Sequence, residues 1–88
     1  MEQQHYDLPA PKNFSGKTLK VISRELKGLG YNGGAQTAAG AFIYISRMGG
    51  RIEVTPPKNK DSEGIVRVYD SAIREEVSGI LERIGGRV

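Results

Sequence analysis

Residues 41–55 read Ala41-Phe42-Ile43-Tyr44-Ile45-Ser46-Arg47-Met48-Gly49-Gly50-Arg51-Ile52-Glu53-Val54-Thr55. The first seven are rich in β-branched and aromatic side chains, and residues 51–55 alternate between apolar and polar, so both segments read as strands. Gly49-Gly50 between them is a two-residue hairpin signal, because the tight hairpin turns need positive φ at their central positions. With those glycines as the loop, residue 48 faces 51, 45 faces 54 and 44 faces 55. Directly opposed residues share a face of a sheet. In this register Ile43, Ile45, Ile52 and Val54 point to the core, while Phe42, Tyr44 and Arg51 point away from it. A slip of one residue would break that assignment.

Downstream, Pro56-Pro57 stops the second strand, and a charged loop spanning 58–63 leads to a third strand, Ile65-Val66-Arg67-Val68-Tyr69. Val66 and Val68 join the core, and Arg67 and Tyr69 join the other face. Asp70 or Ser71 then caps a helix whose Ile73, Val77, Ile80, Leu81 and Ile84 make an inward stripe, ending at Gly85-Gly86. Upstream, Leu19, Ile22, Leu26 and Leu29 fall at helical spacing between Gly16 and Leu29. Ser15 is a good N-cap for that helix, and Gly28 and Gly30 bracket its end. Tyr31 to Gly40 reads as a long small-residue loop. Residues 1–14, with two prolines and no apolar periodicity, read as a flexible N-terminal arm. The expected fold is α+β: a single α-β-β-β-α domain over 15–88, a three-stranded antiparallel sheet with two helices packed on one face.

The 88 residues suffice for one domain with a modest core. Cysteine is absent, which excludes disulfides and thiolate metal sites. No apolar run approaches membrane-spanning length and no signal-peptide pattern follows the first methionine, so a cytoplasmic protein without membrane association is expected. The net charge of +3 is concentrated in the first helix, where Lys17, Lys20, Arg24 and Lys27 face Glu25 alone.

Pro11 to Thr18 read PKNFSGKT and end like a nucleotide-binding P-loop. That loop needs glycine where Pro11 stands, and a buried strand where His5-Tyr6-Asp7-Leu8-Pro9-Ala10 stands. The GKT ending is therefore a helix start whose first turn carries a lysine. Other chemistry is thin. His5 is the lone histidine and has no plausible partner, Glu75 and Glu76 suit a helix N-terminus, and no nucleophile–base pair is visible. No catalytic residues, metal or cofactor are expected.

Two surfaces remain. Lys17, Lys20, Arg24 and Lys27 form a row about 160° around the helix from its apolar stripe, a geometry that can follow a phosphate backbone. Arg47 and Arg51 at the hairpin, and Lys58 and Lys60 in the next loop, extend the basic character. The open sheet face, with Phe42, Tyr44, Arg67 and Tyr69, suits either base stacking or a protein interface.

The element order resembles the double-stranded-RNA-binding-domain fold, and the small HicA-type mRNA-interferase toxins built on it. The residues carrying the resemblance are Leu29-Gly30-Tyr31, Gly40, Gly50-Arg51, Val54, Pro56, Lys60-Asp61, Ile80-Leu81 and Gly85. Those toxins place a catalytic histidine at the first strand, where this chain has Gly40-Ala41-Phe42-Ile43, so ribonuclease activity is not carried over. RNA-binding domains of the fold bring lysines to the start of the second helix. Here that segment is Asp70-Ser71-Ala72-Ile73-Arg74-Glu75-Glu76.

The expectation is a non-enzymatic nucleic-acid-binding module, RNA ahead of DNA, with an acidic protein surface as the other partner for its basic helix. The alternative is a small inhibitor or accessory factor, of the kind bacteriophages encode, acting on a host protein through the aromatic sheet face. A homodimer through that same face is a further arrangement.

Overall fold

The computed structural model describes residues 5–11, 14–59 and 63–85. In chain order these form β1 (Tyr6–Pro9), α1 (Gly16–Gly28), β2 (Tyr31–Gln36), β3 (Phe42–Ser46), β4 (Arg51–Thr55) and β5 (Ile65–Val68). A single 3-10 turn, Ser71–Ile73, then leads into α2 (Arg74–Gly85). The sheet has five antiparallel strands in the order β1-β5-β4-β3-β2, where three were expected. The two extra strands are the edges, and they come from the segments read as an arm and a loop. The element order behind the resemblance to the double-stranded-RNA-binding fold is accordingly not the one observed.

The chain enters at one edge, crosses the sheet by way of α1 to the opposite edge, and returns through the meander β2-β3-β4-β5. Local chemistry explains each part. Ser15 caps α1 with Thr18 in reciprocal hydrogen bonds, and the Leu29 and Gly30 amides close its far end on the Leu26 and Lys27 carbonyls. The Asp70 side chain accepts from the Ala72 amide and starts the turn into α2.

Both helices cover one face. Ile22 and Leu26 of α1 and Val77 and Leu81 of α2 meet Tyr44, Ile52, Val54, Val66 and Val68 of the sheet in one core, with Tyr31 at its end. Leu19, Leu29, Ile73 and Ile84 pack around it as the helical spacing predicts. Leu8 and Ala10 bring the N-terminal strand into the same core.

The hairpin register differs from the expected one, and this changes which side chains are available. The turn is Arg47-Met48-Gly49, not Gly49-Gly50. The Gly49 amide bonds the Ser46 carbonyl, the Ser46 amide bonds the Gly50 carbonyl, and only Gly49 has positive φ, at 87°. This is the three-residue loop with a glycine bulge, which satisfies the backbone with one left-handed residue rather than two. Residue 45 therefore faces 51, 44 faces 52 and 42 faces 54. The displacement is an odd number of residues, so β3 is turned over relative to expectation. Tyr44 is buried in the core at 2% exposure and Phe42 packs beside it, whereas Ile45 is 54% exposed on the outer face, where Ile43 also points.

Candidate nucleic-acid interface

The stripe on α1 stands as the spacing implies. Lys17, Lys20, Arg24 and Lys27 are all exposed, and among the described residues none of them forms an ion pair. The row is about 15 Å long at the helical rise. No acid stands in the first turn, so Lys17 adds to the positive end of the helix dipole instead of offsetting it.

Two contacts fix how this row is aimed. On one flank the Ser23 hydroxyl shares a hydrogen bond with the Tyr44 hydroxyl of β3. On the other flank Glu25 meets Arg83 of α2, Oε2 to Nη2 at 3.7 Å. At about 100° per residue, Lys20 and Lys27 lie on the Ser23 side. Lys20 and Lys27 therefore lean away from α2, toward the β2 edge of the sheet, while Arg24 and Lys17 point straight out from it.

The remaining cations divide. Arg47 is exposed in the hairpin turn, at the end of the domain where α1 finishes, because Tyr31 follows α1 closely and pairs with Ser46. Lys58 is exposed after β4 at the opposite end, the end where α1 begins. Lys60 lies outside the described residues.

Arg51 belongs to a different surface. It points to the outer sheet face, holds Glu53 with Nη2 to Oε2 at 2.6 Å, and lies 5.6 Å from the centre of the Tyr69 ring. Arg67 stands on that face too, with its Nε donating to Asp7 Oδ1 at 2.9 Å. The Asp7 carboxyl is held below its ordinary value, chiefly by that hydrogen bond. Tyr69 donates to Glu53 at 3.4 Å and its ring meets His5 at 5.7 Å. Arg51 and Arg67 thus each already hold an acid.

Phe42 and Tyr44, named for stacking or a protein interface, are corrected by the register: both face the helices. Ile43 and Ile45 take their place, so the outer face is aliphatic at β3 and carries Tyr69 beyond β5. The Arg51–Glu53 pair was open to sequence reasoning, since residues two apart on a strand share a face. Asp7 was not, because nothing local marks its segment as a strand. Among the described residues no group of three histidines or acids is placed to hold a metal ion, and no helix is long and apolar enough to cross a membrane.

No protein-family model, curated protein or solved structure matches this chain. Any functional reading therefore rests on the residues themselves.

Proposed function

We propose that this domain binds nucleic acid without catalysing a reaction on it, using α1 to follow a phosphate backbone. The observation that carries the reading is the exposed row Lys17, Lys20, Arg24 and Lys27, free of acidic partners among the described residues. Solubility alone would be served by mixed charge, which is what α2 and the outer sheet face carry. Arg47 and Lys58 extend the row at its two ends. RNA is placed ahead of DNA, and Arg51 is withdrawn from the contact set because it faces the other way.

The test is fluorescence anisotropy with single-stranded RNA, duplex RNA and duplex DNA at two salt concentrations. Four phosphate contacts give a logarithmic salt slope of roughly −3 to −4, so raising salt from about 50 to 200 mM weakens binding on the order of a hundredfold. A Lys20→Glu/Arg24→Glu double variant abolishes it. Absence of binding by the wild type at low salt would end the proposal.

A second reading has its own support. Ile45 at 54% and Ile65 at 39% exposure leave aliphatic surface on the open sheet face, which suits a protein partner or a second copy of the chain. Ile45→Asp is the discriminating variant. It disrupts that contact in sedimentation measurements and leaves nucleic-acid binding intact.

A further inference from the structure

Met48 is the most exposed large apolar side chain described, at 97%, and it sits at the apex of the β3–β4 turn beside Arg47. A turn position of this kind requires no apolar residue, since type I geometry accepts most side chains. The base beneath it is firmly built. The Gly50 amide donates to Ser46 Oγ at 2.9 Å, and the Tyr31 hydroxyl, packed against Gly50, donates to Asp70 at 3.1 Å. The apex is thus an unbranched, polarizable thioether side chain on a fixed support, with no internal partner.

Its place relative to α1 gives it a use. The Lys27 carbonyl accepts from the Gly30 amide, the next residue is Tyr31, and Tyr31 pairs with Ser46 immediately before Arg47. These steps put the backbones of Lys27 and Arg47 within about 15 Å, a gap that two long cationic side chains largely bridge. A backbone leaving α1 at Lys27 meets Arg47 next, and beside Arg47 stands Met48.

We propose that the hairpin apex contacts an unstacked nucleobase, with Arg47 holding the adjoining phosphate and Met48 lying against the face of the base. Thioether–ring contact is favourable for every base, because each presents a π-face. Unstacked bases are offered by single strands and loops and not by the interior of a duplex, so the apex favours single-stranded RNA over duplexes of equal charge. This rests on the nucleic-acid reading of α1, which supplies the track that delivers the strand.

The experiment compares wild type, Met48→Ala and Arg47→Gln on single-stranded RNA, on an abasic oligonucleotide of equal length and charge, and on a duplex, each over a salt series. Met48→Ala weakens binding to the base-bearing single strand about three- to tenfold with an unchanged salt slope, and leaves the abasic strand and duplex unaffected. Arg47→Gln lowers the slope by about one on all three ligands. Equal affinity of Met48→Ala and wild type for the single strand, alongside salt-dependent binding by both, overturns the base contact and leaves the α1 reading standing. A wild type that binds none of the three ligands removes both. An equal loss on the abasic strand also overturns it, showing that Met48 acts through the turn and not through a base.

Discussion

The hydroxyl of Tyr44 lies 2.5 Å from the hydroxyl of Ser23, joining the second strand of the meander to the helix that crosses above it. The contact exists only because β3 turns its aromatic residues inward. It also ties the aim of the cationic row on α1 to the register of the hairpin.

Substitutions at adjacent positions 44 and 45 report that register. Tyr44→Ala is expected to cost about 3–5 kcal/mol in chemical denaturation, and Ile45→Ala less than about 1. Tyr44→Phe, which keeps the ring and removes the hydroxyl, should cost about 1 kcal/mol. Were the loop Gly49-Gly50, the order of the first two would reverse.

On the helix side, Leu26 is 1% exposed against the sheet. Leu26→Ala should destabilise by roughly 2–5 kcal/mol. A loss below about 0.5 kcal/mol would mean that another face of α1 is buried, and the cationic row would then not be the solvent side.

Gly33 pairs with Tyr44 at a bulge in β2, with φ of 153°, and a Cβ there would run into the Ile43 carbonyl oxygen. That oxygen belongs to backbone and cannot rotate away. Gly33→Ala should therefore cost about 1–3 kcal/mol and lower amide-exchange protection along β2 and β3 ahead of the other strands. Unchanged protection in β2 would refute the bulge.

Asp7 and Arg67 should show in the acid limb of stability. The folded carboxyl titrates below its unfolded value because Arg67 donates to it, so its contribution is present above the unfolded pKa and is lost as pH falls through the folded one. The pair is solvent-exposed and worth no more than about 1 kcal/mol. Asp7→Asn should lower the melting temperature by about 1–5 °C at pH 7, with the gap to wild type closing below about pH 4. A gap that does not narrow at all as pH falls below about 4 would assign the effect to something other than this ion pair.

What the sequence reveals and what it hides divide by how local the cause is. The bounds of α1 and α2 are legible because caps at Ser15 and Asp70 and the stripes from Leu19 to Leu29 and Ile73 to Ile84 are written within a few residues. The strands at β4 and β5 alternate visibly. Tyr6–Pro9 and Tyr31–Gln36 have no such signature. One contains a proline and the other two glycines, and each becomes a strand because a neighbour distant in sequence or bulged in register accepts its backbone. The hairpin fails for a narrower reason. Gly49-Gly50 and Arg47-Met48-Gly49 are both good turns, and burial of Tyr44 opposite Ile52 selects the second. The cations on α1 were readable in full. Glu53 beside Arg51 follows from strand alternation, whereas the Asp7 that holds Arg67 becomes readable only once β1 is known to lie beside β5.

The position of β1 sets an order of events during synthesis. Its Asp7 binds Arg67 across a separation of 60 residues, while the meander joins strands that follow one another directly. As the chain leaves the ribosome, β2, β3 and β4 can pair in turn, but the N-terminal strand has no partner until β5 emerges. Until then β1 is a strand whose backbone groups the rest of the growing sheet cannot pair.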